Sequence, residues 1–327
     1  MGSVAAAAAR NPIENGPTMT TRTDVTFESA GIPLAAHLYV PDGAVAGSPA
    51  LVVGHPGSGV KEQASGLYAS RLADAGFVTI AYDAAYQGAS GGTPRGLEDP
   101  GQRIEDMKAA VSYLTTLDLV DPRRIGLLGI CASGGYSLAA TASDHRIRAL
   151  ATVSPADVAR QFRYGADGAQ DPAVFQGMLD AAAAARTAQA AGEDVAGIPL
   201  FPETIEQARA AGGEHGAEGF DYYCTPRAAH DRAARTFDWS SVDKLATFDA
   251  FTQVPLIGDR PLLMVMGSRA VTAWMGIDAF QRAVGPKELV WVDGASHVDL
   301  YDRDPYVATA VERLADFYGR TLAAVNS

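Results

Sequence analysis

A chain of 327 residues with 47% hydrophobic and 20% charged residues can fill one large core with an insertion, or two smaller cores, and is too apolar for a disordered protein. Its formal net charge of −12 at pH 7 argues against a nucleic-acid or anionic-membrane partner and for a solvated acidic surface. With only two cysteines, Cys131 and Cys224, a disulfide framework is not expected, and a reducing, cytoplasmic setting fits.

In chain order, residues 1–20 are rich in Ala, Asn and Pro. The run 5–9 is too short and too weakly apolar for a secretory core, and no basic residue precedes it, so a disordered leader is expected over 1–20. No run of about 18 apolar residues occurs, so no membrane-spanning helix is expected. Residues 24–30 and 32–40 alternate as two antiparallel strands turning at Gly31. Residues 50–54 form a short strand apolar on both faces, as in a buried parallel sheet, and run into His55-Pro56-Gly57-Ser58-Gly59. An amphipathic helix over 62–75 ends at Gly76, and 77–82 is the next buried strand, stopping at Asp83. The Gly- and Ser-rich loop 83–100 is long enough to suggest function. Asp99-Pro100 then opens a helix carrying Ile104, Met107, Ala110, Val111 and Leu114 at helical spacing.

Residues 125–130 are a buried strand that meets Cys131-Ala132-Ser133-Gly134-Gly135-Tyr136 and turns helical, the setting of a nucleophile elbow. Gly129 and Gly135 flank two candidates. Cys131 has Gly129 two residues before it but Ser133 two after, whereas Ser133 has Gly135 after it but Cys131 before. Ile130 is the last apolar strand residue, which puts Cys131 at the apex and Ser133 in the first helical turn. The new helix offers free N–H groups and its positive end to a thiolate there. A small buried cysteine in a tight turn is the plainer use of the residue.

Residues 147–153 are another apolar strand. From 156 to 255 the strand rhythm stops and the sequence becomes Ala-rich and helical, over 172–191 and 202–211, with aromatic interruptions. The rhythm returns with a strand at 261–266, a helix at 277–284, a strand at 288–292 and a last helix at 304–323. Strands alternating with helices predict a parallel sheet covered on both faces: a core of 21–155 and 256–327, with 156–255 as an inserted helical cap. Open α/β sheets bind ligands at their carboxyl edge, so the cap is expected there, supplying most of the pocket, with Phe220, Tyr222, Tyr223 and Trp239 as candidate lining.

Of six histidines, His297 follows the last strand directly, where the order nucleophile, acid, histidine requires the base. A protonated His297 beside Cys131 would bring the thiol below its free value of about 8.5. The acid is open. The loop 267–272 after the penultimate strand holds no carboxylate and Asp278 falls in a helix. Asp157 ends the strand before the cap, where it serves equally well as a helix N-cap. Asp299 is close in sequence but two residues past the histidine. Two backbone N–H groups are needed for an oxyanion; Ala132 supplies one and, since Pro56 has none, Gly57 or Ser58 the other. Glu62 is near enough in sequence to reach Cys131 or His297, or stands as a solvated first-turn carboxylate.

Five blocks carry a family resemblance: Gly54-His55-Pro56-Gly57-Ser58-Gly59-Val60-Lys61-Glu62-Gln63; Tyr82-Asp83-Ala84-Ala85-Tyr86-Gln87-Gly88-Ala89-Ser90-Gly91-Gly92; Leu97-Glu98-Asp99-Pro100; Gly129-Ile130-Cys131-Ala132-Ser133-Gly134-Gly135-Tyr136; and Ser296-His297-Val298-Asp299-Leu300-Tyr301-Asp302. In this order they resemble the α/β-hydrolase superfamily in its dienelactone-hydrolase-like branch, which uses Cys in place of Ser. More narrowly, they resemble the bacterial and fungal polyketide thiohydrolases and transferases. The resemblance implies hydrolysis or transfer of an acyl group, from a small-molecule or carrier-bound thioester, ester or lactone, through an acyl-enzyme on Cys131 with His297 as base. It implies a structural Asp83, with Tyr86 and Gln87 at the pocket mouth. No cofactor or metal is implied, and a homodimer is left open. A hydrolase fold without catalysis, used for binding, is the contrasting expectation.

Overall fold

The computed structural model describes residues 20–324. The leader expected at 1–20 lies outside them but for Thr20, which opens β1 (Thr20–Ser29). β2 (Ile32–Pro41) returns antiparallel through Ala30 and Gly31, both at positive φ (49° and 80°). The core then alternates: β3 (Ser48–Gly54), α1 (Ala64–Asp74), β4 (Val78–Tyr82), α2 (Pro100–Leu114), β5 (Val120–Ile130), α3 (Ala132–Ser143) and β6 (Ile147–Val153). The insertion follows, made of α4 (Val158–Tyr164), α5 (Pro172–Ala190), β7 (Ile198–Pro199), α6 (Ile205–Cys224), β8 (Thr236–Phe237), α7 (Ser240–Ala246) and a 3₁₀ turn, Ala250–Ile257. β9 (Leu262–Gly267), α8 (Ala273–Arg282), β10 (Lys287–Val292), the short α9 (Asp299–Asp302) and α10 (Tyr306–Thr321) complete the core.

Eight strands form one sheet in the order β1-β2-β4-β3-β5-β6-β9-β10. β1, β2 and β4 pair antiparallel, and all pairings from β4 through β10 are parallel. This is the α/β-hydrolase fold. The parallel strands are apolar on both faces because helices cover both: every residue of β4 is buried, as is every residue of β5 from Ile125 onward. Each Val, Leu or Ile so enclosed contributes about 1.5–3 kcal/mol relative to exposure. Helix starts follow their sequence signals. Asp99 caps α2 by accepting from Gly101 and Gln102 N–H, with Pro100 at the first helical position.

The cap differs from its sequence pattern in the short β7–β8 pair and in the length of α6. The helix expected over 202–211 continues to Cys224, passing a kink at Gly212 and Gly213, where φ at Gly213 is 61°. Two adjacent glycines read as a helix stop, yet here they re-aim the helix and its second half packs on the core. That half is tied down by Tyr222, whose hydroxyl accepts from Ala64 N–H at 3.0 Å, and by Tyr223, whose hydroxyl donates to Gly57 C=O at 3.1 Å. Arg227 adds ion pairs to Asp302 and Asp221. No helix among the described residues is long and apolar enough to cross a membrane.

Candidate active site

β5 ends at Ile130 and α3 begins at Ala132, which leaves Cys131 alone on the turn at φ 53°, ψ −117°. That conformation is unfavourable for a side-chain-bearing residue and is held by its neighbours. Cys131 N–H donates to Val153 C=O, while Cys131 C=O accepts from Gly134 and Ala156 N–H. The turn also needs glycine on either side. A Cβ on Gly129 would stand 2.2 Å from Ser133 O, and one on Gly135 2.9 Å from Ala156 O. Ser133, the rival candidate, is buried and faces the other way: its hydroxyl donates to His55 C=O at 2.6 Å and accepts from Arg103.

Cys131 lines a cavity of about 340 Å³ between the sheet's carboxyl edge and the cap. The N–H groups of Ala132 and Gly57 and the hydroxyl of Tyr301 stand close enough to its sulfur to favour the thiolate. Of the two expected second donors, the Gly57 N–H is the one that acts on the sulfur. Ser58 stands at φ 60° and accepts Ala234 N–H at its carbonyl.

His297 is in the same cavity, buried, on the loop between β10 and α9. Its two ring nitrogens are both engaged. Nδ1 is 2.5 Å from Thr272 Oγ1, and Nε2 is 3.0 Å from the Tyr301 hydroxyl. Neither bonds Cys131 directly; Tyr301 stands between them. The ring of His215, from α6, packs edge-on to His297 with centroids 5.0 Å apart.

The carboxylate expected behind the histidine is not there. Asp157 instead caps α4 by accepting Arg160 N–H at 3.1 Å, and its other oxygen accepts Ala250 N–H at 2.8 Å. It joins two cap segments to the end of β6, the N-cap use of that residue. Asp299 accepts Ser296 N–H and pairs with Arg303. Thr272, at the end of the loop after β9, occupies the acid's place with a hydroxyl. Asp157→Ala is accordingly expected to cost stability, about 1–3 kcal/mol for a buried N–H left without its acceptor, while acylation of Cys131 stays within about threefold of wild type. Urea unfolding beside burst kinetics checks both.

The electrostatics also reverse an expectation. Burial pushes the Cys131 thiol up, against the pull of Tyr301, Ala132 and Gly57. Burial, with His215 beside it, holds His297 well below the usual histidine range. Thiol and imidazole therefore rest neutral, since no carboxylate supports an imidazolium.

The remaining candidates are scattered. Glu62 pairs with Lys61 and Arg232, away from Cys131. Gln87 donates to Glu98 at 2.5 Å in a buried network that also holds Tyr136 and Arg103, the latter pairing with Glu98 at 3.6 Å. Tyr86, at φ 69°, lines a separate cavity with Arg95, Arg232 and Arg235. Asp83 holds its turn, accepting from Lys61 and Ala89 N–H. Of the cap aromatics, Tyr223 lines the cavity at Cys131. Tyr222 packs behind it against Tyr301, and Trp239 belongs to the cap's own core, donating to Ala196 C=O. Phe220 is not in the lining, which Phe162, Phe201, Leu200 and Phe237 supply instead.

Residues 30–297 match the family described as X-Pro dipeptidyl-peptidase (S15 family). The uncharacterized protein YcjY of Escherichia coli (strain K12) is 42% identical over 84% of this chain and 89% of its own. The acyltransferase drtE of Aspergillus calidoustus is 27% identical over 91% and 95%. The crystal structure of hypothetical protein PA2218 from Pseudomonas aeruginosa superposes with a TM-score of 0.86 at 35% identity, covering 92% of this chain and 94% of that one.

Proposed function

This chain belongs to the X-Pro dipeptidyl-peptidase (S15) family, within the α/β-hydrolases of hydrolytic or acyl-transfer activity, and from that premise we propose that it forms and resolves an acyl-enzyme on Cys131. The observation that carries this reading is the sulfur itself: strained onto the apex of the elbow, in the wall of the cavity, beside Gly57 and Ala132, whose N–H groups favour its thiolate. A carbonyl attacked by that sulfur leaves its oxygen beside the same two donors, which stabilise the oxyanion as it forms. His297 is the base that receives the thiol proton and later activates water or an alcohol.

The cavity supports an uncharged, largely apolar acyl group. Among the described residues its walls contain no Asp, Glu, Lys or Arg. They are built from Val158, Phe162, Leu200, Phe201, Phe237 and the small residues of α6. A dipeptidyl-peptidase must hold the ammonium of its substrate's N-terminus, and a buried charge without a partner is costly. The substrates favoured are thus esters, thioesters or lactones of neutral acids. The apolar walls and the likeness to an acyltransferase favour a second outcome for the same intermediate, transfer to an acceptor in place of hydrolysis.

The test is intact-protein and peptide mass spectrometry after exposure to butanoyl and succinyl thioesters and to an Xaa-Pro anilide. A butanoyl adduct on the Cys131 peptide is expected, at least about 100-fold faster than with either charged compound. An adduct elsewhere, or preference for the anilide, sinks the reading. Adding a primary alcohol and measuring ester against free acid separates transfer from hydrolysis.

A further inference from the structure

We propose that Tyr301 is a catalytic residue, its hydroxyl the relay that carries the proton between Cys131 and His297. This rests on the reading of Cys131 as nucleophile. Tyr301 lies on α9, four residues after His297, so the short helix returns its ring beneath the histidine. The hydroxyl is 3.0 Å from His297 Nε2 and stands beside the Cys131 sulfur, near enough to act on its ionisation, and all three residues line one cavity. The ring is fixed in that position. It is 2% exposed, with Tyr222 packed edge-on at 5.1 Å and the His297 ring at 5.6 Å between centroids. With both nitrogens of His297 already occupied, one by Thr272 and the other by Tyr301, the sulfur reaches the base only through the phenol.

The hydrogen bonds run in one direction when the base is ready. Cys131 S–H donates to the Tyr301 oxygen, Tyr301 O–H donates to Nε2, and Nδ1–H donates to Thr272 Oγ1. As the sulfur forms its bond to the acyl carbon, its proton passes to the phenol oxygen and the phenol's own proton passes to Nε2. The carbonyl electron pair moves to oxygen, against Gly57 and Ala132 N–H. When the bond to the leaving group breaks, the Nε2 proton returns through the phenol to that group. The balance is acyl–X plus thiol giving acyl–thiol plus HX, and the tyrosine ends as it began. Water or an alcohol reverses the path in the second half. No phenolate forms, which suits a phenol whose ionisation burial pushes well above its usual range.

Tyr301→Phe keeps the ring and removes only the hydroxyl. With a neutral aryl ester such as p-nitrophenyl butyrate, rapid-quench mass spectrometry of the Cys131 peptide is expected to show acylation slowed by about 100-fold or more, with KM within about twofold. A proton inventory in mixed H₂O and D₂O is expected to bow for the wild type, because two protons move together, and to straighten in the variant. Acylation within about threefold of wild type in a folded Tyr301→Phe overturns the relay, as does a straight wild-type inventory, which decides the matter even if the variant fails to fold. Absence of a wild-type adduct on Cys131 is a different failure: it removes the nucleophile assignment beneath the relay.

Discussion

Cys131→Ser is expected to lose acyl-enzyme formation by about 10⁴-fold, nearly as much as Cys131→Ala, although it creates the more usual elbow nucleophile. The reason lies behind His297. A serine hydroxyl is a far weaker acid than a thiol and depends on a histidine that can bear charge. Here the histidine is buried, held well below the usual range, and backed by the Thr272 hydroxyl at 2.5 Å instead of a carboxylate. Where a serine triad loses its carboxylate, kcat falls by about 10⁴. A thiol, whose ordinary pKa is about 8.5, is much less demanding of its base. The site is therefore matched to sulfur. The burst of nitrophenolate from p-nitrophenyl butyrate, with the adduct mass on the peptide carrying residue 131, measures the loss. A Cys131→Ser variant within tenfold of wild type would show that the Thr272–His297–Tyr301 chain serves a hydroxyl equally well, and the argument from thiol acidity would fail.

The framework of this site was legible in the sequence because it is written in local patterns. A buried run ending at Ile130, a turn of small residues and helical spacing beyond it place Cys131 without any long-range information. His297 follows from its position after the last strand. What eluded the sequence depends on tertiary neighbours. Asp157 is taken up capping α4 while Thr272 stands behind His297, and a search for carboxylates cannot find a hydroxyl, although the absence of Asp and Glu from 267–272 was itself a signal. The four-residue spacing from His297 to Tyr301, at the start of α9, was a second signal, but it became meaningful only with the sulfur on the far side of the phenol. The cap was harder still. Its lining comes largely from Phe162, Phe201 and Phe237, while of the aromatic cluster that stood out in sequence only Tyr223 reaches the wall, Tyr222 packing behind it and Trp239 inside the cap. His215 had no distinguishing pattern; the kink at Gly212 and Gly213 brings it to His297. The expectation of an ion pair failed because burial acts against both charges and no third group restores them.

The same burial predicts acid sensitivity of the fold. His55 and His297 are both 1% exposed, and both are held neutral well below 6.5. For His55 burial is the leading cause, followed by the Arg103 guanidinium; the bond to Pro56 C=O opposes them. Its Nε2 accepts from Ala84 N–H at 3.1 Å and faces Arg103 at 3.0 Å, so a proton there would displace a donor and meet a cation. Above pH 6.5 these rings are neutral in the folded and the unfolded chain, and stability does not depend on them. Below 6.5 the unfolded chain takes up protons that the folded chain refuses, so acid favours unfolding until the depressed folded values are reached. Each such ring contributes a slope of about 1.4 kcal/mol per pH unit, and two give about 2.7. His215, also depressed by burial, adds to the same fall. Asp106 and Asp157 act in the opposite sense, since burial raises both and they bind protons in the folded state above the ordinary carboxylate range. The fall should thus begin near pH 6.5, at about half its full slope, and steepen over about the next pH unit, less what the two carboxylates take back. Urea unfolding at pH 7.5, 6.5 and 5.5 measures it. His297→Asn is expected to remove about a third of the slope, one ring of three, and a stability unchanged between 7.5 and 5.5 would mean that none of these rings is held neutral by its surroundings.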